Sequence, residues 1–210
     1  MLDRWFEAQV KPRLKGKAFL IRYADDAVLV FARKEDAERV MEVLPKRFGK
    51  YGLTVHPEKT RLICFGKPQK CEEGMLEPPR REKFNFLGFT HHWGRSRRGV
   101  WVVKRKTESS RFTRALKSVT EWCRRNRHRP LGEQQRILSR KLNGHYAYYG
   151  ITGNIRCLDS FLFAVMRIWR KWLTRRSRDR SITWERFNLL LQRYPLPPAR
   201  IVHSYCTANP

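Results

Sequence analysis

Asp25 and Asp26 are the residues of this chain whose type and spacing point most directly to chemistry. Two adjacent carboxylates repel each other, and a cation held between them relieves the repulsion. Hard divalent cations such as Mg2+ prefer oxygen ligands, and phosphoryl transfer commonly uses a pair of them. One ion activates the attacking hydroxyl while the other steadies the leaving pyrophosphate. The same dipeptide also serves in ordinary polar turns, where it carries no chemistry. Three groups of arginine form the second feature: Arg95, Arg97 and Arg98; Arg124, Arg125, Arg127 and Arg129; and Arg175, Arg176, Arg178 and Arg180. Guanidinium clusters of this kind suit phosphate contact, with a solvated face as the alternative for each.

The elements around these residues fall into two regimes. Phe19 to Arg22 and Ala27 to Phe31 are β-prone runs on either side of Tyr23-Ala24-Asp25-Asp26, which predicts a hairpin with the carboxylates at its turn. Ala37, Val40, Met41, Leu44 and Phe48 recur at helical spacing, with a kink or break expected at Pro45. Leu53–Val55 and Thr60–Phe65 read as two strands, Gly66–Lys83 as a loop, and Phe84–Phe89 as a strand pairing with Val100–Val103. After Lys106 the pattern turns helical. One stripe runs from Phe112 to Cys123, a second helix covers Glu133–Tyr149, and a third carries Leu158 to Leu173. A fourth helix starts at the N-cap Thr183, buries Trp184, Phe187, Leu190 and Leu191, and ends at Pro195, Pro197 and Pro198.

Composition narrows the partner. The 210 residues carry 46 Lys and Arg against 19 Asp and Glu, a formal charge of +27. Residues 1–100 hold 22 basic and 13 acidic side chains, whereas residues 101–210 hold 24 and 6. Such an excess implies a polyanion, nucleic acid before an anionic membrane surface, met mainly by the second half. The 41% hydrophobic content supports a buried core and excludes wholesale disorder. Five cysteines without a Cys-x-x-Cys pair argue against a zinc ribbon or a disulfide framework. No apolar run is long enough to span a bilayer and no signal-peptide core follows Met1, so a cytoplasmic protein is expected.

Five blocks in order carry a family resemblance. Tyr23-Ala24-Asp25-Asp26 resembles the catalytic hairpin of reverse transcriptases, His56-Pro57-Glu58-Lys59-Thr60 the next block, and Phe84-Asn85-Phe86-Leu87-Gly88-Phe89 the one after. Leu142-Asn143-Gly144-His145-Tyr146-Ala147-Tyr148-Tyr149-Gly150 resembles the thumb signature of group II intron-encoded reverse transcriptase/maturases, and Pro198-Ala199-Arg200-Ile201-Val202-His203-Ser204 the end of their maturase region. The resemblance implies an α+β fold: a partial palm of antiparallel sheet and helix over residues 1–103, then an all-helical thumb/maturase region over 104–210. It also implies RNA-directed DNA polymerase activity with Mg2+ and binding of group II intron RNA, with a DNA primer or target as a further partner.

By that resemblance Asp25 and Asp26 are the catalytic, metal-binding carboxylates, and Tyr23 supports the primer end or the hairpin. Lys59 lies near the nucleotide or template path, and Gly88 is a close-approach glycine under the primer grip. His145, Tyr146, Tyr148 and Tyr149 could stack on RNA bases, with core packing as the alternative. Blocks bearing a third carboxylate and the nucleotide-holding fingers precede Leu2-Asp3-Arg4-Trp5-Phe6 in the family. The chain alone is therefore expected not to polymerise, but to act with an N-terminal fragment or homo-oligomer, or as a non-catalytic RNA-binding maturase remnant. No endonuclease domain is expected after residue 200, and apolar surface at Leu20, Val28 and Val30 is expected to be poorly covered.

Overall fold

The apolar runs flanking Asp25 fold as an antiparallel hairpin, in which β1 (Ala18–Tyr23) and β2 (Asp26–Phe31) pair from Ala18↔Phe31 to Tyr23↔Asp26. A computed structural model describes residues 2–67, 82–176 and 181–204. The chain divides into two units, Met1–Leu87 and Gly88–Pro210.

In the first unit, side chains alternate across the hairpin, so Ala18, Leu20, Leu29 and Phe31 face a core built with Trp5, Phe6, Val10, Val40 and Leu44. Trp5 ends α1 (Leu2–Trp5), and Phe6 and Val10 lie in the π-helical turn that continues it. α2 (Lys34–Gly49) supplies Ala37, Val40 and Leu44 from one face. The helix runs through Pro45 to Gly49, so of the kink or break expected there, a break does not occur. Leu44 and Phe48 on either side of the proline pack on the core, and that burial offsets the backbone hydrogen bond proline removes.

Leu53–Val55 and Thr60–Phe65 are not strands, which corrects the sequence expectation. Among the described residues no strand pairs with this stretch, and side chains hold it. Val55 packs on the core, the Cys64 amide donates to the Glu82 carboxylate, and Phe65 meets the Phe84 ring edge-on at 4.9 Å. A turn closes between them, with the Thr60 amide donating to the His56 carbonyl at 3.0 Å. Of the expected loop over Gly66–Lys83, residues 68–81 lie outside the described residues.

The strand expected over Phe84–Phe89 is two strands. β3 (Phe84–Phe86) ends where Leu87 and Gly88 both take positive φ, 50° and 73°, and β4 (Phe89–Arg95) begins beyond them. The partner of β5 (Trp101–Thr107) is β4, in register from Phe89↔Thr107 to Arg95↔Trp101.

Within the second unit, β5 gives way to four helices: α3 (Ser109–Asn126), α4 (Leu131–Tyr149), α5 (Ile155–Thr174) and α6 (Trp184–Arg193). Their apolar faces meet in one core around Val119, Leu138, Leu142, Tyr146, Leu158, Phe161, Trp169 and Phe187. The N-cap expected at Thr183 is present, its hydroxyl accepting from the Arg186 amide at 3.4 Å. Trp184, expected inside, lies at the edge with 37% of its surface exposed. Mixed small antiparallel sheets followed by helices fit an α+β class. Among the described residues no helix is long and apolar enough to cross a membrane.

Candidate functional site

The carboxylate pair sits at the tip of the β1–β2 hairpin. Tyr23 and Asp26 form the last cross-strand pair, leaving Ala24 and Asp25 as a two-residue turn in which Ala24 takes φ 52°. That left-handed conformation is rare for a residue with a Cβ, and a hydrogen bond braces it: Arg22 Nη1 donates to the Ala24 carbonyl at 2.9 Å. The same guanidinium grips Asp3, with Nε 2.9 Å from Oδ1 and Nη2 2.8 Å from Oδ2. The hydrogen bond from Arg22 lowers the Asp3 carboxyl below its usual range. At the other end of the hairpin, buried Asp36 accepts from the amides of Lys15 at 3.3 Å and Gly16 at 2.9 Å. Neither Arg22 nor Asp36 is singled out by sequence spacing, since their partners lie about twenty residues away. Only the arrangement of α1 and α2 on the hairpin reveals them.

Asp25 and Asp26 are exposed, as are Tyr23 and Lys59. Their oxygens suit Mg2+ in kind but not in number. Among the described residues no group of three or more His, Cys, Asp or Glu gathers to hold a metal. Among the described residues the pair by itself does not complete a two-ion site, and no catalytic step through a metal follows from it. The outer face of the hairpin carries Phe19, Ile21, Tyr23, Val28 and Val30 beside Asp26, and Phe19, Ile21 and Tyr23 are 59%, 52% and 68% exposed. Val30 is exposed as expected, whereas Leu20 is turned to the core because it lies on the opposite face of β1. Lys59 stands in the turn that ends at Thr60.

In the second unit the two helical-region motifs close on each other. Gly150, at the end of α4, accepts from the amides of Val202 and His203 at 2.7 and 2.8 Å, and His203 Nε2 lies 2.8 Å from the Ala147 carbonyl. The Tyr146 hydroxyl donates to the Pro197 carbonyl at 3.2 Å. A Cβ at position 150 would overlap the Tyr146 carbonyl oxygen and press on the Arg200 carbonyl, which explains glycine there. Gly88 also stands in a tight place, where a Cβ would come within 3.2 Å of the Tyr149 hydroxyl.

This packing corrects part of the expected RNA surface. His145 and Tyr146 face the core, because positions on that side of α4 pack on α5, and neither ring is open to a base. His145 stacks on Phe161 at 3.8 Å, and burial holds its imidazole down at about 4. Burial likewise pushes the Tyr146 hydroxyl up to about 12. Tyr149 is half-buried with its ring edge-on to Phe89, whereas Tyr148 is exposed.

The arginines divide by position. Arg95 lies over the Trp101 ring at 5.3 Å, and Arg97 and Arg98 are exposed in the β4–β5 turn. The second and third clusters come together at the ends of α3 and α5. Arg124, Arg125, Arg127, His128 and Trp172 line an open cavity, and Arg175 lies over the Trp172 ring at 5.0 Å. Arg176 donates to the carbonyls of His128 and Arg129, both at 3.0 Å, which fixes the α3–α4 turn beside it. Glu121 pairs with both Arg124 and Arg125, and Glu133 with Arg129. Arg178 and Arg180 lie outside the described residues.

No curated protein matches this chain. A family model described as reverse transcriptase (RNA-dependent DNA polymerase) matches residues 2–91, a stretch that contains the Asp25–Asp26 hairpin, the His56–Thr60 turn and β3.

Proposed function

We propose that the chain is part of a group II intron reverse transcriptase/maturase, an RNA-directed DNA polymerase by descent whose helical region binds intron RNA. The observation that carries this reading is the position of Asp25 and Asp26, at the turn of a β-hairpin inside the stretch that matches the reverse transcriptase family. A partial palm over residues 1–103 and a thumb/maturase region over 104–210 follow from the same reading. Its cofactor is Mg2+, bound by Asp25 and Asp26 together with groups supplied by an N-terminal reverse transcriptase fragment or another copy. Its polyanion is RNA, in keeping with the +27 charge and with the arginines gathered around Trp172.

The second reading is a non-catalytic RNA-binding maturase remnant, supported by the basic residues gathered around the Trp172 cavity. Primer extension on an RNA template with Mg2+, beside an Asp25→Ala control, tests both. Extension that the control abolishes shows that a complete site forms and overturns the non-catalytic reading. A folded chain that neither extends a primer nor binds RNA overturns the proposal as a whole.

A further inference from the structure

The surface shared by α5 and α6 holds aromatic rings that the core does not absorb. Phe163 is 52% exposed and Trp184 37% exposed, and their rings lie parallel within 5° at a centroid separation of 6.1 Å. Exposed aromatics cost hydration, and the open ring face of a stacked pair is a surface of the kind that nucleobases stack on. This pair is rigidly backed. Trp184 meets buried Phe187 edge-on at 5.9 Å, and Phe187 in turn meets Trp169 at 5.7 Å. Arg170 is anchored by donating to the Ile182 carbonyl at 2.8 Å and lies 4.3 Å over the Trp184 ring.

Charge selects the occupant. Arg156, Phe163, Arg167 and Lys171 are exposed along α5 at spacings that put them on one face, and Arg167 reaches 6.0 Å from the Phe163 ring centroid. Asp159 is the one acidic residue of α5, against four basic ones. Planar faces between guanidinium and ammonium groups match a strand that offers a base and its flanking phosphates together. A duplex hides its bases in the stack and offers phosphates alone. An acidic peptide would answer the charge but not the paired ring faces.

We propose that Phe163 and Trp184, flanked by Arg156, Arg167, Arg170 and Lys171, form a stacking platform for unpaired nucleotides of single-stranded RNA. The inference rests on the reading of the chain as RNA-binding, and it adds a base-dependent contact to the phosphate contacts of the Trp172 cavity.

Fluorescence anisotropy on the full chain separates the two. The probes are an unstructured oligouridine of about twelve nucleotides, an abasic strand of equal length and a duplex of similar charge. Wild-type protein is expected to bind the oligouridine about tenfold more tightly than the abasic strand, the scale of one stacked base. Phe163→Leu, at an exposed position that keeps the fold, removes that preference without altering duplex affinity, and Phe163→Tyr restores it. Equal affinity of wild type for the base-bearing and abasic strands overturns the platform while leaving RNA binding intact, as does a Phe163→Leu variant that keeps the preference. Failure of wild type to bind any of the three probes overturns both readings. A Phe163-dependent dimer in sedimentation velocity, with RNA affinities unchanged by Phe163→Leu, assigns the surface to self-association and overturns the proposal.

Discussion

His145 shows how the same side chain reads differently in sequence and in the fold. Its neighbours Tyr146, Tyr148 and Tyr149 make the segment resemble a stacking surface, yet α4 turns His145 inward onto Phe161. The consequence is a pH dependence with a definite sign. Burial holds the folded imidazole at about 4, below its ordinary 6.5. Between those values the unfolded chain takes up the proton first, so the stability lent by neutral His145 is complete above pH 6.5 and is lost as pH falls toward 4. The loss is about 1.4 kcal/mol for each pH unit across that window. His145→Phe keeps a ring against Phe161 and removes the titration. Urea midpoints measured across that window should therefore fall for wild type and stay level by comparison in the variant. Parallel curves would assign the acid sensitivity to other groups.

At the scale of elements, the junction between β5 and the helices depends on one buried side chain. Asn154 Oδ1 accepts from the Thr107 amide at 3.1 Å, and Nδ2 donates to the Thr107 hydroxyl and the Tyr149 carbonyl, both at 2.9 Å. Asn154→Ala leaves these buried groups without partners and should lower stability by about 2–4 kcal/mol, more than a surface substitution costs. Chemical denaturation measures the loss, and an unchanged midpoint would show that water replaces the amide. Asn154 was not legible in the sequence, because its partner at Thr107 lies far along the chain. Local patterns fared better. The hairpin around Asp25, the four helices and the Thr183 cap follow from alternation, helical spacing and capping chemistry, each decided within a few residues. The strands expected over Leu53–Val55 and Thr60–Phe65 failed because β-propensity does not supply a pairing partner. The split at Leu87-Gly88 was missed because Leu87 holds a positive φ that its residue type disfavours. At the candidate site, the sequence points to the carboxylates but not to Arg22, whose grip on Asp3 and the Ala24 carbonyl shapes the turn.

At the scale of the whole molecule, the governing quantity is charge. A surplus of +27 repels itself at low salt and favours any polyanion that displaces its counterions. Most of it belongs to residues 101–210, where acidic side chains number 6. Local ion pairs remove only part of the field, since Glu121 serves both Arg124 and Arg125 and Arg127 contacts the Arg124 carbonyl instead of a carboxylate. These arginines line the Trp172 cavity together, so replacing them as a group tests whether the clustered charge meets phosphate or only solvent. Each phosphate contact to a single strand contributes about 0.7 to the slope of log affinity against log salt. The triple variant Arg124→Gln, Arg125→Gln, Arg127→Gln should therefore bind an unstructured RNA more weakly and with a slope shallower by about 2. Titrations at a series of KCl concentrations give both quantities. A weaker affinity with an unchanged slope would mean that the substitutions act through the α3–α4 turn, which Arg176 ties to the end of α5, and not through phosphate. A changed slope would place the polyanion at this cavity and leave the base-dependent term to Phe163 and Trp184, whose substitution alters affinity for unpaired strands at constant slope.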